Sequence, residues 1–269
     1  MPHTFYILGV KISISNIQSA CGAIENWIFE RKKTYVCIAP VATIVDCQGD
    51  EKYRGIINNA GMATPDGMPL VWLGRMKGYR EIERTYGPDL FDAFLKLSQQ
   101  KQYRHYFYGG TPRTLNLLID RLKERYPQLN ISGCYSPPFR DMHDTEEQTV
   151  LDKINHSHPD ILWIGLGSPK QDYWMYYHRH KLNVPVMVGI GAAFDFVAGT
   201  KPQAPQILRQ SGLEWMFRLC SEPSRLWRRY LIGNTKFIFY LALDSAKNFF
   251  GRFKTRKSTT KIETTVSAQ

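Results

Sequence analysis

The sequence predicts an α/β protein: a Rossmann-like, mostly parallel sheet flanked by helices, followed by a basic helical appendage. Three observations predict it. Short apolar runs alternate with amphipathic stretches as far as residue 204. Glycine-rich turns stand where several of those runs end. Beyond residue 204 the strand-like runs stop, and positive charge accumulates.

The apolar runs are Tyr35–Ile38, Tyr106–Tyr108, Ile161–Ile164 and Val186–Ile190. They are short and rich in β-branched and aromatic residues, and all but the first are bounded by Gly or Pro, so they read as buried strands. Helix-like stretches cover roughly 16–31, 48–59, 89–100, 111–126, 144–156 and 170–181. Thr111-Pro112 is a strong helix start, a capping hydroxyl followed by proline at the first helical position. After residue 204 helices are expected at about 205–219 and 223–250, then a polar tail from Lys254 whose last dozen residues have a disordered composition. The expected organisation is therefore 1–204, 205–253 and 254–269.

Composition narrows the function classes. Apolar residues make up 43% of the chain, enough for a sizeable core. The five cysteines are widely spaced with no CxxC pair, which argues against a zinc site or a disulfide framework and for a reducing cytoplasmic setting. No run of about 18 apolar residues exists, so no membrane-spanning helix is expected. The first residues lack the charged start and long apolar run of a signal peptide. Between Lys201 and Lys261 stand 13 Lys and Arg against only Glu214, Glu222 and Asp244, whereas residues 1–200 are nearly balanced. A basic segment interleaved with aromatics points to an anionic surface, lipid headgroups or nucleic acid; a solvated basic tail is the plainer alternative.

Several loops have the residue types that chemistry at a strand end needs. Gly165-Leu166-Gly167-Ser168-Pro169-Lys170-Gln171 follows a predicted strand and opens a helix. Its glycines admit a ligand close to the backbone, and the helix N-terminus favours an anion that Lys170 or Gln171 would reach. The same residues also make a tight turn with no ligand. Gly109-Gly110 forms a second such turn. Asp66, between Pro65 and Gly67, is either turn chemistry or a general base. Arg84 would clamp a phosphate or hold a carboxylate. Gly191 and Asp195 end the last strand; Asp195 would bind a sugar or ribose hydroxyl, or cap the segment after it. No acidic or histidine cluster has metal-ligand spacing, so no metal and no cofactor are expected, and charge on a leaving group would fall to Arg, Lys or backbone N–H.

Taken in order, Pro65–Trp72, Glu83–Leu90, Phe107–Gly110, Gly165–Asp172, Gly189–Gly199 and the series Glu214-Trp215, Arg218, Glu222-Pro223, Arg225-Leu226 and Arg228-Arg229-Tyr230 resemble the WecG/TagA/CpsF glycosyltransferases. The resemblance implies an inverting transferase that needs no metal. It implies a UDP-sugar donor of the N-acetylmannosamine or glucose type. It also implies an acceptor sugar on undecaprenyl diphosphate, at the inner face of a bacterial plasma membrane. By it, Asp66 is the base and Gln171 lies at the nucleotide-sugar site. The helices with Arg218, Arg225, Arg228 and Arg229 dock on the membrane and close over the active site. A homo-oligomer is compatible with all of this. Two departures stand out: Ile38–Thr43 lacks the Thr-x-Asn-Pro common in the family, and Gln203 replaces its basic residue before Ala204-Pro205. Two other classes remain to be distinguished. A dinucleotide-dependent oxidoreductase would need an acidic ribose partner about 20 residues past the glycine turn, yet no Asp or Glu lies between Asn183 and Ala193. A nucleic-acid-binding module would explain the charge but not the glycine and Asp-Gly loops.

Overall fold

The computed structural model describes residues 2–247. Its centre is a six-stranded, wholly parallel sheet. An antiparallel hairpin, β1 (Thr4–Ile7) and β2 (Val10–Ser13), precedes it, turning through Leu8 and Gly9 in left-handed conformations. The chain continues through α1 (Ile17–Phe29), β3 (Thr34–Ala39), α2 (Val41–Gly49), α3 (Glu51–Asn59), β4 (Met62–Pro65), α4 (Met68–Met76) and α5 (Gly87–Lys101). Then come β5 (Arg104–Gly109), α6 (Pro112–Arg125), β6 (Asn130–Tyr135), α7 (Asp144–His156), β7 (Ile161–Gly165), α8 (Lys170–His178), β8 (Val186–Gly189) and α9 (Ala193–Ala198). The sheet order is β4-β3-β8-β7-β5-β6.

Side chains alternate between two cores, as a sheet covered on both faces requires. Tyr35, Cys37, Tyr106, Tyr108, Leu162 and Ile164 pack on one side with residues of α2, α3, α4, α7 and α8. Val36, Ile38, Phe107 and Trp163 pack on the other with residues of α1, α5, α6 and α9.

The four expected strands are present, and the sheet gains two more. β4 is four residues ending in proline, and β6 is a half-exposed edge strand with Asn, Ser and Gly; neither carries the apolar run that marks a buried strand. The helix expected at 48–59 is α3, which starts at Glu51 because Asp50 is extended and caps it through Tyr53 N–H; α2, ending at Gly49, is an addition. The helix expected at 205–219 is two, α10 (Gln206–Gln210) and α11 (Glu214–Ser221), broken at Gly212, whose φ of +77° a helix cannot hold. α12 (Pro223–Trp227) runs through a π-helical stretch (Arg228–Ile232) into helical backbone over 233–247. The expected tail from Lys254 lies outside the described residues. Leu226 and Phe237 anchor this last helix by burial, while Trp227, Leu231, Ile238, Phe239 and Leu243 stay exposed. No helix among the described residues is long and apolar enough to cross a membrane.

Parallel strands place each succeeding loop on one rim. Pro40 to Ala42, Asp66-Gly67, Gly110-Thr111, Leu166 to Pro169 and Ile190 to Ala192 all stand at the carboxyl edge of the sheet.

Candidate active site

Asp66 comes directly after β4, and its N–H donates to the Ala39 carbonyl at 3.1 Å, so its backbone is fixed across the ends of two strands. Arg84 is fixed beside it by its neighbour: Thr85 N–H donates to the Pro65 carbonyl (2.9 Å), and the Thr64 hydroxyl donates to the Thr85 carbonyl (3.2 Å). The result is an Arg84 Nη2 to Asp66 Oδ1 contact of 3.2 Å. The same Nη2 stands 2.6 Å from Glu214 Oε2 on α11, and Nη1 donates to the Arg209 carbonyl at 3.0 Å. The guanidinium also lies over the Tyr86 ring, 4.3 Å from its centroid. One guanidinium thus joins the sheet rim to the C-terminal helices.

The charges balance in a definite direction. Burial pushes the Asp66 carboxyl up to about 6; Glu214 adds to that rise, while Arg84 and Arg218 oppose it. Burial also disfavours the Arg84 charge, but Asp66 and Glu214 outweigh it and hold the guanidinium firmly protonated. These groups face a cleft of about 230 Å³ beneath the C-terminal helices. Arg218, Arg229, Tyr230 and Asn234 line it from those helices, and Pro40, Val41 and Ala42 line it from the β3 end. The stretch that departs from the family pattern is therefore apolar and faces this cleft, while Thr43 is buried.

The glycine turns form the middle of the rim. At Gly109, φ is +127°, and a Cβ there would sit 2.7 Å from the Gly165 carbonyl group, so no larger residue fits. Gly110 N–H donates to the Gly165 carbonyl at 3.2 Å. Gln171 is 2% exposed and its carboxamide is spent within the protein. Oε1 accepts from Gly167 N–H (3.1 Å) and Gly191 N–H (3.0 Å), and Nε2 donates to Ser168 Oγ (3.2 Å). Gln171 therefore ties the loop after β7 to the loop after β8. Gly167 has φ +78° and open space where a Cβ would stand. Lys170 is exposed in the first turn of α8, next to Pro169.

The other expected residues fall outside these two groups. Asp195 accepts from the Thr200 hydroxyl at 3.0 Å and lies 3.8 Å from Lys201 Nζ, so it fastens the turn that ends α9. Arg225 pairs with Glu222, and Arg228 lies over the Trp227 ring; neither lines the cleft. Asp66 and the Gly165 turn share the rim but end strands three positions apart, about 14 Å at the spacing of paired strands. Among the described residues no group of three or more His, Cys, Asp or Glu side chains could hold a metal ion. Glu214 and Tyr230 escaped selection as site residues. The available signal was the acid itself, one of very few in a basic segment.

A parallel sheet with a carboxylate–arginine pair in a cleft at its carboxyl rim has the layout of an α/β enzyme that takes its ligand at that rim. The chain belongs to the Glycosyl transferase WecG/TagA/CpsF family, which matches residues 5–249, and it is a glycosyltransferase. Among similar proteins is a Bacillus spizizenii N-acetylglucosaminyldiphosphoundecaprenol N-acetyl-beta-D-mannosaminyltransferase, 30% identical over 76% of this chain and 77% of the relative. Proteins of the same name from Bacillus subtilis (28% identical, 68% of this chain and 69% of the relative) and Staphylococcus aureus (29%, 66% and 68%) also match.

Gln171→Ala should strand the Gly167 N–H, leave the Gly191 N–H only its 3.3 Å bond to the Ile164 carbonyl, and cost roughly 1–3 kcal/mol of stability. Equilibrium urea unfolding of the variant beside the parent measures it, and an unchanged midpoint would deny the carboxamide its role in joining the loops.

Proposed function

We propose that this protein moves a hexose or N-acetylhexosamine, with inversion and without a metal, from a UDP-sugar to a sugar on a polyprenyl diphosphate. The observation that carries the reading is the Asp66 carboxylate, held by Arg84 in a cleft that Arg218 and Arg229 also line. The hydroxyl oxygen of the acceptor attacks the anomeric carbon from the face opposite the diphosphate. As that bond forms, the bond from the anomeric carbon to the diphosphate oxygen breaks, and the electron pair leaves with UDP. Asp66 takes the hydroxyl proton. Arg218 and Arg229 stabilise the charge that grows on the departing diphosphate. Ser168 and Lys170, at the start of α8, hold the nucleotide end of the donor. The relatives' printed names support a lipid-linked acceptor of this kind.

The acceptor class also sets the location. Trp227, Leu231, Ile238, Phe239 and Leu243 are exposed on a helix that carries Arg225, Arg228 and Lys236. Such a surface suits the inner face of a plasma membrane: each cation near anionic headgroups contributes about 1 kcal/mol, and the apolar side chains enter the interface.

Four outcomes test this reading. Asp66→Asn should lower kcat by roughly 10²–10⁴-fold while the donor still binds by calorimetry. A base works only when unprotonated, so kcat/KM of the parent should fall as pH drops through about 6, the value to which burial raises Asp66. Retained turnover in the variant would remove Asp66 as the base. Excess EDTA should leave the transfer rate unchanged, whereas a loss rescued by Mg²⁺ would replace the arginines with a cation. Replacing Ile238 and Phe239 together by Ser should cut co-sedimentation with phosphatidylglycerol vesicles several-fold, and undiminished sedimentation would place the membrane surface elsewhere.

A further inference from the structure

Glu214 is the only residue of α11 that is buried. A surface helix ordinarily anchors itself by an apolar stripe. α11 instead buries a carboxylate, 5% exposed, while Trp215 and Met216 beside it stay exposed. The partner of that carboxylate is not a cation of its own basic segment. It is Arg84, 130 positions earlier in the chain, at 2.6 Å. Arg84 in turn holds Asp66 Oδ1 at the longer distance of 3.2 Å and the Arg209 carbonyl of α10 at 3.0 Å. Among the described residues Asp66 Oδ2 makes no hydrogen bond, so the base keeps one oxygen for its substrate.

We propose that Glu214 is a positioning residue for the transfer reaction, acting through Arg84 to seat α10 and α11 over the cleft and to keep the guanidinium shared rather than fully paired with Asp66. The proposal deepens the reading of Asp66 as the base and rests on it. Its chemistry is competition for one cation. Removing the Glu214 charge leaves Arg84 wholly to Asp66 and removes a like charge from beside the base. Both changes stabilise the Asp66 carboxylate and make it a weaker base. The other groups that face Asp66 act in known directions. Arg84 from the loop before α5 and Arg218 from α11 favour the carboxylate, and Glu214 opposes it. Arg229 and Tyr230 of the π-helical stretch and Tyr86 complete the charged and titratable surround. Arg84, Arg218, Tyr86 and Tyr230 also feel the Glu214 charge directly.

The test is the pH dependence of kcat and kcat/KM for the full chain on phosphatidylglycerol vesicles, with a UDP-sugar donor and a polyprenyl-diphosphate sugar acceptor. In Glu214→Gln the acid limb of kcat/KM moves to lower pH and the plateau kcat falls about tenfold, while KM for the donor changes less than the kcat. Glu214→Asp restores the charge, returns the limb to the parental pH and recovers part of kcat. A Glu214→Gln enzyme with reduced kcat and an unmoved limb would mean that the residue only holds the helix, and the proposal is overturned; so is a limb that moves to higher pH. Should Glu214→Gln not fold, Glu214→Asp is read alone: a parental limb with a several-fold lower kcat supports the proposal, and a fully parental kcat overturns it. Failure of the underlying reading is separate, since it shows in the parent and in Asp66→Asn, as an absent acid limb or as retained turnover.

Discussion

One buried guanidinium decides how the two parts of this protein meet. Arg84 cannot leave water without carboxylates to face it, and Asp66 and Glu214 cannot lie close together without a cation between them. The three come from the end of β4, the loop before α5 and the first turn of α11, so none of these segments can shift alone. Arg suits the position because its planar fork serves several acceptors at once, here two carboxylates and the Arg209 carbonyl. The triad is one negative charge in excess, and Arg218 supplies a second cation near Asp66. The cluster is thereby left responsive to nearby charge.

The two regions of the rim are built on different principles. Around Asp66 the work is done by ionised side chains in a desolvated cleft. Around Gly165 it is done by backbone, with the loops after β5, β7 and β8 joined by Gly110 N–H and the Gln171 carboxamide. A neutral, tightly cross-linked turn of this kind keeps its shape without reorganising. A charged, half-open cleft suits the step in which charge moves.

The alternation of strands and helices was legible because the central strands are continuous apolar runs and the loops between them carry glycine. Edge strands were not. β4 and β6 have one paired side each and little apolar content, so nothing in their residues distinguishes them from loops. Asp66, Arg84, Arg218 and Arg229 were legible as candidates, a carboxylate between Pro and Gly and cations near Gly87-Pro88 or in a basic aromatic stretch, and the fold brings all four to one cleft. That Arg84 would hold a carboxylate rather than a phosphate was not, since either anion fits a guanidinium. Gln171 was legible as important, yet its carboxamide turns inward; the same acceptor oxygen serves a ligand or two backbone N–H groups, and only the positions of the loops after β7 and β8 decide which. Glu214 hid because its partner lies 130 positions away in sequence.

Two buried acids make the same point about function. Burial raises Asp172, like Asp66, to about 6. The proton affinities do not tell them apart; the surroundings do. Asp172 is sealed at the start of α8, where the Tyr53 hydroxyl donates to it at 2.8 Å and Tyr53 itself is buried. Asp172 is 1% exposed and does not line the cleft beside Asp66. Asp66 meets Arg84 through one oxygen and opens on a cavity of about 230 Å³. A raised carboxyl becomes a general base only when the proton it accepts has a path to it. On this chain the cleft beside Asp66 lies beneath α11, so the seating of a surface helix bounds the approach to that carboxyl.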